Sequence, residues 1–286
     1  YGIFAKDRIS KNYIKKDMEA KMDFKKIFFR ILFFGILLGV LMFVVGKLFH
    51  LSQHALILAL TIAYMIFIII FLPYQYRKGK LLNNKMGDLM QKLYDGKTKE
   101  YIAGIKKLLN EMDNDYFKAI LPINMAVGYT AEGEFEKAIS YLENIDANKI
   151  DKRSHMVLYH NIACNAFWAG ETKKACIIME MHKELLEKGL EMAYSKNSFC
   201  ETFALWYFAK GDRNSGFVYL EKILSDKYAK NMDREFAQLI WAKEKLADGE
   251  KKEAKTFLEK IFAETKMPYL KEESSRILQQ LETERL

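Results

Sequence analysis

The 286-residue chain is poor in the residue patterns from which catalytic and metal sites are built. Its three cysteines, Cys164, Cys176 and Cys200, are an odd number without CxxC spacing. That pattern argues against a disulfide framework or a zinc cluster and reads as reduced core thiols. Of the histidines, His155 and His160 stand five apart, which puts them on different faces of a helix, so no metal site is expected. There is no GxGxxG, HExxH or GxSxG, and Gly79-Lys80 has no upstream glycine at P-loop spacing. Acid pairs such as Glu132 and Glu134 fall at turns, where solvated charges are ordinary. The sequence predicts neither an enzyme nor a bound cofactor.

A basic surface is also lacking where a nucleic-acid binder would need one. The formal charge is +8, but residues 1–26 and 74–100 carry +4 each, Arg30 and Lys47 add two more, and residues 101–286 carry −2. The positive charge flanks apolar segments, where it orients them in a bilayer and meets anionic headgroups. No nucleic-acid partner is expected.

Two apolar runs, residues 27–46 and 55–73, are each long enough at 1.5 Å per residue to cross a hydrocarbon core of about 30 Å. The first is too long for a cleavable signal, lacks a small-residue cleavage site and is followed at once by the second. Between them only Lys47 is charged. Lys15, Lys16, Lys21, Lys25 and Lys26 precede the first run, and Arg77, Lys78, Lys80 and Lys85 follow the second. This asymmetry places both termini in the cytoplasm, and Arg30 can snorkel toward the same face. Gly35 and Gly39 form a GxxxG motif, and Ala55, Ala59 and Ala63 recur at the same interval. Such stripes allow close backbone approach, either within the hairpin or in a homodimer formed through it. No acid lies mid-span, which argues against a transport pathway.

Beyond the spans, Gly96, Gly133, Gly170, Gly211 and Gly249 recur at intervals of 37, 37, 41 and 38 residues. The copy around Gly133 has Ala126 and Tyr129 before it and Phe135, Ala138 and Leu142 after it. Later copies keep Ala163, Gly170, Ala175 and Met179; then Ala204, Tyr207, Gly211, Gly216 and Leu220; then Ala242, Gly249, Ala254 and Leu258. Small residues suit the contact of two antiparallel helices, and large ones fill the layer against the next pair. This order resembles the tetratricopeptide-repeat (TPR) family, whose period is about 34 residues. The departures are Leu89 and Tyr101 around Gly96, where alanines would stand, Ala166 and Lys245 in place of the tyrosine, and no closing proline. The resemblance covers residues 85–265.

The resulting expectation is an all-α chain: a two-helix transmembrane hairpin followed by a right-handed α-solenoid of TPR-like helix pairs. Residues 1–26 form a basic cytoplasmic segment, 27–73 the hairpin, 74–266 the repeat domain and 267–286 a capping helix with a stripe of Leu270, Ile277, Leu278 and Leu281. In TPR proteins the first helix of each pair lines a concave groove, and some place asparagines there to hold a peptide backbone. The resemblance puts Asn124 and Asn161 at that place, with Thr202 and Ile240 in the later copies. Neighbouring groove positions are Val127, His160, Cys164, Phe167 and Trp168, then Glu201, Leu205 and Phe208. The lysines that capture a chain-terminal carboxylate are missing, which points away from the chaperone-tail class.

The partner implied is a protein or peptide in the groove, and the function a membrane-tethered scaffold. The alternatives are an accessory subunit of a membrane enzyme or transporter complex, or a peptide-sensing regulator. Lysine outnumbers arginine 37 to 8, a bacterial-looking usage, so the membrane expected is a bacterial plasma membrane. Tyr1 in place of an initiator Met leaves room for an upstream segment.

Overall fold

The structure, a computed structural model, describes residues 24–48, 52–112, 115–193 and 195–283, and among them there is no strand. The expected basic segment 1–26 falls outside these residues except for its last three, which are helical. The chain divides into two units, Tyr1–Asp88 and Leu89–Leu286.

In the first unit, α1 is Phe24–Leu48 and α2 is Gln53–Tyr94, the latter running past the unit boundary. Within them, Phe28–Leu48 and Gln53–Tyr74 are long and apolar enough to cross a membrane, and neither is buried inside the protein. Pro73 removes one helical donor, yet α2 continues through it. The two helices touch through large side chains. A Cβ at Gly35 would lie 3.2 Å from the Tyr64 ring, and one at Gly46 would collide with Leu56. Phe34 stacks on Phe67 at 4.0 Å, and Phe67 on Phe71 at 5.0 Å. Gly39 has nothing within 4 Å. Ala55 is exposed, and Ala59 and Ala63 are half-buried.

The second unit owes its regularity to its glycines. Gly96, Gly133, Gly170, Gly211 and Gly249 have φ between 75° and 80°, a region that an L side chain enters only at a cost. Each follows a helix and closes it with the same pair of hydrogen bonds. At Gly133 these are Gly133 N–H to the Thr130 carbonyl at 3.0 Å and Glu134 N–H to the Tyr129 carbonyl at 2.9 Å. Bonds of this kind satisfy carbonyls that the helix end would otherwise orphan. The turn at Gly96 repeats them, with Gly96 N–H to Leu93 and Lys97 N–H to Lys92.

These turns join the end of α2 to α3 (Thr98–Glu111), α4 (Asp115–Ala131) to α5 (Phe135–Glu143), and α6 (Lys152–Trp168) to α7 (Thr172–Met181). They also join α9 (Lys196–Ala209) to α10 (Arg213–Ser225), and α11 (Asn231–Ala247) to α12 (Lys251–Glu264). The longer interval from Gly170 to Gly211 is taken up by α8 (Lys183–Glu187) and a 3-10 turn, Lys188–Glu191. There Gly189 lies so close under Phe199 that a Cβ would collide with the ring. The last helix, α13, is Pro268–Thr283.

Packing follows the small-and-large pattern. Ala126, Ala138, Ala163, Ala175, Ala204, Ala242 and Ala254 are fully enclosed, as are Leu142, Met179, Leu220 and Leu258. The departures around Gly96 are compensated on the facing helices. Leu89 sits against Gly104, and Tyr101 against Gly128, where a Cβ would come within 2.9 Å of the Tyr101 ring. Tyr101 is enclosed, and its hydroxyl donates to the Asn124 carbonyl at 2.8 Å. A large residue on one helix and a glycine on the other keep the summed volume close to that of two small ones. In α13, Leu270, Ser274, Ile277 and Leu281 are buried and Leu278 lies at the edge. Ser274 is tolerated because its hydroxyl donates to the Leu270 carbonyl at 2.7 Å.

Candidate functional site

The first helices of successive pairs, α4, α6, α9 and α11, touch each other as well as their partners. Polar side chains mark these contacts. Thr130 donates to Asn165 at 2.7 Å between α4 and α6. Thr202 and His160 share a hydrogen bond of 2.9 Å between α9 and α6, and Ser198 donates to Asp233 at 3.2 Å between α9 and α11.

His160, Cys164, Glu201 and Thr202 are buried within this series, whereas Asn124, Val127, Asn161, Phe167, Trp168, Leu205 and Phe208 are half-buried. Phe167 packs beside Ala166 and Ala175, and Trp168, Leu205 and Phe208 pack around Ala204 and Leu220. The two asparagines use their backbones, since the Asn124 carbonyl accepts from Tyr101 and the Asn161 carbonyl from the Asn165 side chain at 2.8 Å. Their side-chain amides make no hydrogen bond to another described residue, so each still offers a donor and an acceptor.

The buried centre of this face is Glu201. One carboxylate oxygen accepts from the Trp168 indole N–H at 2.9 Å and from the Cys164 thiol at 3.5 Å. Burial raises this carboxyl to about 7, although the indole bond pulls in the other direction. Asp233, also buried, is raised for the same reason. Burial pushes the Cys164 thiol up, with the neighbouring Glu201 adding to the shift, and it holds His160 down at about 3. His160 is therefore a neutral ring, stacked on Phe199 at 4.2 Å. The thiol is protonated and a poor nucleophile. Among the described residues, no group of three or more His, Cys, Asp or Glu side chains could hold a metal ion.

Trp168 links this acid to an aromatic cluster whose members lie far apart in the chain. Its ring lies 6.0 Å from Phe135, 5.4 Å from Phe236 and 5.8 Å from Tyr269, and the Lys243 ammonium sits over it at 5.3 Å. Tyr269 also meets Phe135 edge-on at 4.8 Å. Sequence reasoning placed Trp168 on the relevant face but found none of these four partners. Tyr269 reads there as one more position beside an apolar stripe, and nothing in its surroundings marks it as the partner of a tryptophan on α6.

No protein-family model matches the chain, and neither a curated protein nor a solved structure shows significant similarity to it.

Proposed function

We infer that the chain is a membrane-tethered protein- or peptide-binding scaffold: a transmembrane hairpin followed by a TPR-like solenoid that presents its first helices to a cytoplasmic partner. The observation that carries this reading is the recurrence of one turn geometry at five glycines, each joining a helix pair, in a chain that also holds two helical stretches long and apolar enough to cross a membrane. A series of equivalent helix pairs provides an extended face for another chain. The outward side chains of α1 and α2, such as Phe33, Ile36, Ile57 and Ile69, are more than half exposed. They form an apolar surface that is stable against lipid and unfavourable against water. Anionic headgroups complement the basic residues that flank the spans. The face of Gly39 that no side chain covers is where a second copy would approach.

Partner capture tests the reading. After cross-linking in cells and extraction in detergent, a soluble partner that dissociates on dilution supports the scaffold. A stoichiometric membrane partner makes the chain an accessory subunit instead. Asn161→Ala weakens partner binding by about 1–3 kcal/mol where the amide bonds a peptide backbone, and leaves the fold intact because this amide bonds no other described residue. Ala163→Leu forces a branched side chain into a fully enclosed position and destabilises the domain by roughly 1–3 kcal/mol. If Asn161→Ala lowers the melting temperature as far as Ala163→Leu does, the asparagine is structural and the groove assignment fails.

The topology has its own test. A cysteine at Ser52 reacts with an impermeant thiol reagent applied to intact cells, whereas one at Thr283 reacts only after permeabilisation. Both positions are exposed, so the reverse pattern would place the repeats outside.

A further inference from the structure

The apolar hairpin carries one polar group, deep within a span, that the hairpin itself leaves without a partner. Tyr64 is the twelfth of the 22 residues in the stretch Gln53–Tyr74, so about 15 Å of helix separates it from either end, farther than a phenol reaches. Its ring lies over Gly35 of α1, where a Cβ would stand 3.2 Å away, and the residue is half-buried. The hydroxyl bonds to no other described residue, yet it is not enclosed, and so it reaches the surface of the hairpin. Residues 31–46 of α1 carry no hydroxyl, amide or charged side chain that could answer it. Thr61, one turn away on α2, already donates to the Ile57 carbonyl at 2.8 Å.

Water would bond such a hydroxyl, but hydrocarbon offers neither donor nor acceptor, so leaving it bare in a bilayer is costly. The geometry points to a second copy of this chain as its partner: two hairpins related by a two-fold axis set Tyr64 against Tyr64 near the middle of the membrane. A phenol hydroxyl both donates and accepts, and a two-fold interface places the same residue opposite itself. The pair therefore needs no complementary group from another protein. Room for the approach lies on the same side of α1, because Gly39, one turn from Gly35, has nothing within 4 Å of where a Cβ would stand, and a bare glycine lets two backbones come close. This assignment rests on the hairpin lying in a bilayer, and it names the residue that holds the two copies together.

The full chain, labelled at its C-terminus with donor or acceptor dye, is reconstituted in phosphatidylcholine–phosphatidylglycerol liposomes, and energy transfer between copies is followed as lipid is added. Wild type should associate. Tyr64→Phe removes one oxygen and keeps the ring over Gly35, and it should need a roughly three- to tenfold higher protein-to-lipid ratio for half association. Gly39→Leu, whose side chain stands in open space within its own hairpin, should weaken association at least as much. Thr61→Val is the control: it also removes a hydroxyl from the span, but one already bonded to Ile57, and association stays unchanged. A wild type that is monomeric at every ratio, a Tyr64→Phe or Gly39→Leu variant that associates like wild type, or an equal loss in Thr61→Val would overturn the pairing. Flotation of the same liposomes keeps the two readings apart. Chain that floats and resists alkaline extraction but shows no energy transfer fails the pairing alone, whereas chain left in the aqueous layer fails the membrane reading and the pairing with it.

Discussion

Phe203→Ala lowers the unfolding free energy of the repeat unit by about 3–5 kcal/mol, the range for truncating a buried aromatic residue. Phe203 is 1% exposed, in a cluster with Met156, Ala163, Met179, Leu186, Phe199 and Trp206. Its ring also stacks on Tyr219 at 5.4 Å. Four helices supply that cluster, so the cavity cannot close by the shift of a single side chain. With total stabilities of about 5–15 kcal/mol, the loss is large enough to leave the variant marginal. All three tryptophans, Trp168, Trp206 and Trp241, lie in this unit, so urea unfolding followed by their fluorescence reports on it and not on the spans. Met181→Ala is the control: Met181 is 72% exposed, and its truncation stays within about 0.5 kcal/mol. A midpoint for Phe203→Ala no lower than that for Met181→Ala would mean that the α6–α9 core is not packed as described.

The second large effect depends on pH. Folding raises the Glu201 carboxyl to about 7 through burial, above an unfolded value near 4.3. The folded chain therefore holds this proton more tightly. Its contribution to stability is complete below the unfolded value and is lost as pH rises through about 7, a fall of about 4 kcal/mol over the whole range. His160 acts in the opposite sense. Its folded value of about 3 means that stability is lost as pH falls below the ordinary histidine range, so the two groups offset each other in the wild type between roughly pH 4.5 and 6.5. Glu201→Gln isolates the acid, because glutamine still accepts from the Trp168 indole and carries no proton to lose. The stability of the variant relative to wild type should rise by about 3 kcal/mol between pH 4.5 and pH 8, with the His160 contribution cancelling in the difference. A difference that stays constant across that range would show that water reaches the carboxyl and that the Trp168–Glu201 contact is not closed.

The amino-acid sequence by itself determined the two apolar helices and the repeating turn. A run of about 20 apolar residues has no stable alternative to a helix in lipid. At φ near 78° a glycine is favoured over every residue with a side chain, so Gly96, Gly133, Gly170, Gly211 and Gly249 announced the turns before any contact was known. The small residues at Ala126, Ala138, Ala163 and Ala204 were legible for a related reason, since they stand at matching offsets from the glycine of each repeat. Leu89 and Tyr101 broke the pattern, and only the structure decided how: Gly104 and Gly128 on the facing helices make the room.

The same limit governs the candidate site. Periodicity states which side of a helix carries Asn161, Cys164, Trp168 or Glu201, but not what lies opposite. Whether a polar residue there faces solvent, a ligand or its neighbour is set by the rotation of each pair against the next. Tertiary structure gave Glu201 to Trp168 and Cys164, His160 to Thr202, and Asp233 to Ser198. It also brought Tyr269 back to Phe135 and Trp168. That last meeting depends on the accumulated rotation of all the intervening pairs, a small angle at each turn that no local pattern of residues records.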